Sequence, residues 1–115
     1  MMNGEYWFNT EPISKKVDII FEFGSYQFIN EVLHLCSIDE IKDIIKAVKK
    51  HIEDKWSYTF SKEYITIFVA FSVCRIEYEL PNQSYECYLE CMELIEMLEK
   101  YVAVYERLED RFKCF

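Results

Sequence analysis

The stretch YITIFVAFSVCRIEYEL, residues 64–80, decides the fold. Its β-branched and aromatic side chains form an apolar face at the odd positions 65–73 and then at the even positions 74–80, and this period of two is typical of a half-buried strand. One straight strand would be about 56 Å long, whereas a domain of this size has a radius of gyration of about 13 Å. The change of face at 72–75 therefore predicts a bulge or a bend. We favour these over a two-residue hairpin because Gly, Asn and Asp are absent there.

The segments before this stretch show both strand and helix patterns. Residues 57–60 are predicted to pair with it through a turn at 61–63, and residues 17–23 form a half-buried strand. Apolar residues then follow helical spacing at 26–36. A second helix is predicted to begin at Ser37, because Ser37-Ile38-Asp39-Glu40 matches a capping box.

The segment after Pro81 has a helical pattern. Residues 85–112 repeat apolar side chains at steps of three and four, and Ser84 is a suitable N-cap. Such a helix would be about 42 Å long and would cross the sheet. The sequence thus predicts a single α+β domain over residues 1–115. Its expected architecture is a mainly antiparallel sheet with two consecutive N-terminal helices and a long C-terminal helix packed on it.

The charge balance limits the class of partner. The 115 residues carry 13 Lys+Arg and 21 Asp+Glu, a formal net charge of -8. Direct nucleic-acid binding and polybasic membrane anchoring both need clustered Lys and Arg, so we expect neither. The sequence shows no signal-peptide pattern, and its cysteines are odd in number and mostly lie in apolar runs. We therefore expect reduced core thiols and a cytoplasmic protein.

Residue patterns for catalysis and cofactor binding are sparse. Only two glycines are present, which excludes the usual glycine-rich phosphate loops. Cys87 and Cys91 are four residues apart without a second pair of metal ligands, and neither His34 nor His51 belongs to a nucleophile motif. We therefore expect a protein that is not an enzyme and that has no catalytic, cofactor-binding or metal site.

The negative charge is concentrated in residues 76–110, which contain ten acidic and two basic residues, while the rest of the chain is balanced. On a helix, Glu86, Glu90, Glu93 and Glu96 would form one stripe. Neighbouring like charges along this stripe would repel by about 0.2–0.5 kcal/mol per pair. Such a stripe is either a solvated face or a docking surface that steers a basic partner, with Tyr85 as an aromatic anchor beside it. The predicted partner-binding residues are Glu77, Glu79, Tyr85, Glu86, Glu90, Glu93 and Glu96.

Two stretches give the chain a resemblance to a known class of protein. The strand run EYITIFVAF at 63–71 and the acidic run SYECYLECME at 84–93, in a small acidic α+β chain, resemble the immunity proteins of bacterial toxin–immunity systems, including contact-dependent inhibition. The resemblance implies a cognate toxin, often a basic nuclease, that is blocked at its active site or substrate surface.

Two other hypotheses stay open at this stage. The first is a non-catalytic structural or regulatory interaction module, formed as a homodimer through the C-terminal helix, where residues 97–98 and 101–105 are apolar on several sides. The second is a small enzyme or ligand-binding domain with a pocket lined by aromatic residues.

Overall fold

A computed structural model describes residues 6–11, 16–21 and 28–113 of the chain. In chain order the elements are β1 (Tyr6–Glu11), β2 (Lys16–Phe21), α1 (Phe28–Leu35), α2 (Ile38–Asp54), β3 (Tyr58–Lys62), β4 (Ile65–Ala70), β5 (Val73–Leu80), β6 (Gln83–Glu90) and α3 (Cys91–Lys113). The first two strands form an antiparallel pair, and β3 to β6 form an antiparallel sheet in sequential order. The fold is therefore α+β, with antiparallel sheets and a C-terminal helix.

The inner face of the four-stranded sheet forms the core, as the alternation in 64–80 predicts. Ile65, Ile67 and Val69 on β4, and Cys74 and Ile76 on β5, are all buried. Helices α2 and α3 contact the sheet and bury these side chains. Burial of branched aliphatic side chains is the main favourable term in folding, so this layer fixes how the helices sit on the strands.

The change of face after β4 is a two-residue hairpin, so the preference for a bulge or a bend is wrong. Ala70 pairs with Val73, and the two residues between them, Phe71 and Ser72, have φ angles of 54° and 64°. Positive φ at both central positions is the mark of a type I′ turn, which normally selects Asn and Gly. Here the turn is held from outside, since the Cys91 amide donates to the Ser72 carbonyl at 3.0 Å.

Residues 83–90 form strand β6, so the prediction of one helix over 85–112 with an N-cap at Ser84 is wrong. The strand pairs with β5 from Leu80 opposite Gln83 to Val73 opposite Glu90. The segment also has a period of two that fits a strand, and pairing with the edge of β5 satisfies its backbone groups. Helix α3 begins only at Cys91, directly after the strand.

The helices before the sheet also differ in part from the prediction. The described chain begins with the β1–β2 pair and not with two consecutive N-terminal helices, and α1 has only 8 residues. The capping box of α2 is confirmed: the Glu40 amide donates to Ser37 Oγ at 3.2 Å, and the Ser37 amide donates to Glu40 Oε1 at 3.0 Å. None of the helices in the described ranges has the length and apolar character that a membrane span requires.

The thiols of Cys36, Cys74, Cys87 and Cys91 are free and buried, while Cys114 lies outside the described residues. Burial raises the pKa of Cys36 to about 11 and that of Cys87 to about 12. Burial also raises the pKa of Tyr101 to about 12. The folded state therefore holds protons that the unfolded state releases at lower pH.

We expect the free energy of unfolding to fall as the pH rises from about 9, where unfolded thiols ionise, towards about 12. The stability contributed by each raised pKa is present below the unfolded value and is lost as the pH passes the folded value. Each such group steepens the fall by up to about 1.4 kcal/mol per pH unit. Urea denaturation across this pH range measures the slope. A Cys87→Val variant should show a shallower fall, and an unchanged slope in that variant would contradict the assignment.

Candidate partner-binding face of the four-stranded sheet

The candidate site is the face of the four-stranded sheet that points away from α2 and α3, which we call the outer face. Its side chains are exposed or half-buried, in contrast to the buried side chains between them along each strand. The outer face consists of Thr59, Ser61, Thr66, Phe68, Ala70, Val73, Arg75, Glu77, Glu79, Ser84, Glu86, Tyr88 and Glu90. A flat, solvent-facing sheet surface of this kind is available to another macromolecule.

The strand register aligns outer-face side chains in rows across the sheet. Phe68, Arg75 and Tyr88 lie side by side in one row. The Arg75 guanidinium carbon is 5.3 Å from the centre of the Phe68 ring, which is close enough for a cation–π interaction. Aromatic residues and arginine are the types that most often dominate binding energy at protein interfaces.

The next row places two carboxylates opposite one another, Glu77 on β5 and Glu86 on β6. Like charges directly opposite across two strands are destabilising. Together with Glu79, Ser84 and Tyr85 they line a depression of about 380 Å³. A sheet shaped only for stability would place a base in one of these positions, so the row points to a role outside the fold itself.

Arg75 neutralises only a small part of this charge. Its Nε lies 3.0 Å from Glu77 Oε1 but is buried without a well-formed hydrogen bond. Glu86 accepts a hydrogen bond from the neutral Tyr88 hydroxyl at 3.3 Å. Within residues 6–11, 16–21 and 28–113, neither Glu79, Glu86 nor Glu90 has a basic ion-pair partner. The outer face therefore keeps an unneutralised negative potential.

Four of the predicted partner-binding residues lie on this face: Glu77, Glu79, Glu86 and Glu90. Tyr85 lies opposite Tyr78 in the register, with ring centres 6.1 Å apart, and is therefore on the other face at the open end of the sheet. Its hydroxyl donates to Gln83 Oε1 at 2.6 Å. Tyr85 remains half-exposed and contributes to the rim of the depression.

The predicted helical stripe of Glu86, Glu90, Glu93 and Glu96 is not present. The first two glutamates are on β6 and the last two on α3, so they do not share one helix face. Glu96 also pairs with Lys100 at 2.8 Å within α3. The predicted stripe and the predicted helix start are wrong for the same reason, which is that residues 83–90 form a strand.

Two acidic side chains further along α3, Glu99 and Glu106, form ion pairs with the neighbouring helix α2. Lys49 of α2 lies 2.6 Å from Glu99, and Lys42 lies 2.9 Å from Glu106. Lys42, the earlier residue in α2, pairs with Glu106, the later residue in α3, so α2 and α3 are antiparallel neighbours. Among the described side chains of 76–110, the glutamates of β5 and β6 therefore keep more of their negative charge than Glu96, Glu99 and Glu106 of α3, which are each ion-paired.

Sequence reasoning missed the aromatic part of the site. The sequence patterns give no role to Phe68 or Arg75. A helix over 85–112 would place Tyr88 on the apolar stripe with Cys91 and Ile95, although Tyr88 is half-exposed. The signal is present in the sequence, because Glu86, Tyr88 and Glu90 alternate with the buried Cys87 and Leu89. A strand interpretation of 83–90 would have placed Tyr88 beside Arg75.

No family model, curated protein or solved structure matches this chain. The interpretation of the site therefore depends on its own geometry and charge. Among the described residues, no group of three His, Cys, Asp or Glu side chains is arranged to hold a metal ion. The stretch on which the homodimer alternative depends packs largely within its own chain, since Met97, Leu98 and Tyr101 are buried.

Proposed function

We propose that this chain is an immunity protein that binds and neutralises a cognate basic toxin, a nuclease, in the cytoplasm. It acts without catalysis, and its outer face covers the active site or the substrate surface of the toxin. The observation that carries the proposal is the pair of opposed carboxylates, Glu77 and Glu86, on an exposed sheet face beside Glu79 and Glu90.

The charge of the outer face fits a nuclease surface in particular. A nuclease binds phosphates with clustered Lys and Arg, and these side chains attract carboxylates just as they attract phosphates. The repulsion between Glu77 and Glu86 is relieved when a basic surface lies between or above them. An arrangement that costs free energy in the isolated chain therefore becomes favourable in the complex.

The neighbouring row supplies contacts that charge alone cannot. Phe68, Arg75 and Tyr88 present two aromatic rings and a guanidinium next to the acidic row. Desolvated aromatic and arginine side chains contribute to the lifetime of a complex, while exposed charges mainly accelerate its formation. The outer face combines both properties in adjacent rows, as a tight inhibitor requires.

Reversing two charges on the outer face tests the proposal. The proposed partner is a toxin domain to be sought in the adjacent gene and purified in inactive form. In Glu79→Lys/Glu86→Lys we expect the association rate constant with this domain to fall about 10- to 100-fold at low salt. The salt dependence of that rate should become shallower. The fold should be retained, because the lysine introduced at position 86 would face Glu77 as an opposite charge. Rapid-mixing kinetics at several salt concentrations and circular dichroism measure these outcomes.

A matched variant separates the face from the net charge. Asp43→Lys/Glu53→Lys changes the total charge by the same amount on exposed positions of α2, which packs on the other side of the sheet. We expect it to slow association much less. Equal effects of the two double variants would show that overall charge and not the outer face attracts the partner.

A further inference from the structure

Three segments that meet around the buried His51 each carry an exposed apolar side chain, and we call these three side chains the apolar tip. Phe71 in the β4–β5 turn is 96% exposed, Trp56 between α2 and β3 is 74% exposed, and Met92 at the start of α3 is 63% exposed. Single exposed apolar residues are ordinary, but clustered ones indicate an interaction site.

Two hydrogen bonds between the side chain of one buried histidine and backbone groups, and one backbone–backbone hydrogen bond, hold these three segments together. His51 is only 3% exposed. Its Nδ1–H donates to the Trp56 carbonyl, and its Nε2 accepts from the Ser72 amide at 3.4 Å. The Ser72 carbonyl accepts from the Cys91 amide at 3.0 Å. The position of the apolar tip is therefore fixed by the core and not left to a free loop.

Phe71 occupies a backbone conformation that a bulky residue disfavours. Its φ of 54° lies in the left-handed region, as does the 64° of Ser72. An aromatic residue with positive φ is a genuine outlier, and Asn-Gly in the same turn would remove the strain. The most exposed apolar side chain of the described residues is thus kept at a position where it costs stability twice, through its backbone and through its contact with water.

The apolar tip is continuous with the outer face. Val73, the first residue of β5, follows the turn directly and lies opposite Glu90 on β6. Val73 is itself exposed and lies on the same side of the sheet as Arg75 and Glu77. A partner that covers the outer face from Glu77 to Val73, a distance of about 13 Å along β5, therefore reaches the turn that carries Phe71.

We propose that Phe71 is the anchor residue that inserts into an apolar pocket of the basic protein partner, at the Glu90 end of the outer face, while the positive surface of the partner faces Glu77 and Glu86 further along β5 and β6. This inference rests on the proposed function and gives the carboxylates and the Phe71 ring different roles in binding. The carboxylates steer the partner and set the association rate, whereas burial of the Phe71 ring sets the dissociation rate. A projecting aromatic ring on a rigid turn needs no rearrangement to bind, which lowers the entropic cost of association.

The test uses a variant in which the backbone strain of the β4–β5 turn is removed, together with a matched control variant. In Phe71→Asn/Ser72→Gly we expect the folding equilibrium constant to rise about tenfold, because the strain of positive φ is removed. With the same inactive toxin domain, the dissociation rate constant should rise by at least about 30-fold while the salt dependence of association stays as in the wild type. The control Glu63→Asp reduces the strain in the β3–β4 turn, where Glu63 has a φ of 51°, without changing the charge. It should stabilise the fold and leave dissociation unchanged.

The outcomes separate this inference from the proposed function. If the wild-type chain does not bind the toxin domain, both are overturned. If the wild type binds and the charge reversal slows association, but the turn variant dissociates like the wild type, only the anchor role of Phe71 is overturned. A turn variant that is less stable than the wild type would also overturn the inference, since the residue would then serve the fold.

Discussion

Replacing His51 by alanine should lower the free energy of unfolding by about 2–4 kcal/mol. The imidazole is 3% exposed and bridges the Trp56 carbonyl and the Ser72 amide. Its removal leaves both backbone groups without these partners at a part-buried position and opens a cavity between α2 and the β4–β5 turn. Urea denaturation measures the loss, and faster hydrogen exchange of the Ser72 amide should accompany it.

The second histidine of the described chain provides the control. His34 Nε2 lies 2.7 Å from Asp18 Oδ1 in a pair that is about one-third exposed. Surface pairs contribute between about 0 and 1 kcal/mol, so His34→Ala should cost no more than that. If the two substitutions cost the same, the assignment of His51 as the residue that holds the apolar tip would be wrong.

Truncating Ile67 to alanine should destabilise the fold by about 3–5 kcal/mol, a large part of the roughly 5–15 kcal/mol typical of a single domain. Ile67 is 0% exposed on β4 and is paired with Phe60 on one side and Ile76 on the other. Few neighbours can collapse into the space, because the residue sits in the middle of the sheet beneath two helices. Thermal and urea denaturation should agree on the loss.

The adjacent residue on β4 shows whether the two faces of the sheet differ as described. Thr66 is on the outer face, half-buried, with its hydroxyl 3.2 Å from that of Ser61. Thr66→Ala should cost about 1 kcal/mol or less, because water replaces the lost hydrogen bond. A cost similar to that of Ile67→Ala would mean that the outer face is covered, which would contradict the binding surface proposed there.

The parts of the fold that follow from sequence are those in which local pattern and tertiary packing agree. The odd-numbered isoleucines of β4 are predictable core residues because a strand can bury only one parity against helices. The start of α2 is predictable because Ser37 and Glu40 satisfy each other's backbone groups without help from the rest of the chain.

The parts that do not follow depend on distant residues. The turn at Phe71 and Ser72 lacks the residues such a turn prefers, and it is held by His51 and Cys91 from other elements. Residues 83–90 fit both a period of two and helical spacing, and only the open edge of β5 decides between them. Where two local patterns are comparable, tertiary pairing determines the outcome.

The same distinction explains the candidate site. Glu77 and Glu79 share a face by strand parity, so their grouping is predictable. The grouping of Glu86 with Glu77 requires the β5–β6 register, and the pairing of Glu99 with Lys49 requires the packing of two helices. The exposure of Phe71 depends on a two-residue turn that the sequence does not predict, so the apolar tip could not be predicted from the sequence.

The sequential order of β3, β4, β5 and β6 has a consequence for the speed of folding. The whole outer face is formed by one contiguous segment, residues 58–90, whose strands are joined by two-residue turns. Pairings of low sequence separation lose little loop entropy before they form, and chains dominated by them fold quickly. Under the proposed function, early assembly of the outer face is an advantage, because the segment that forms it is completed by the ribosome before α3.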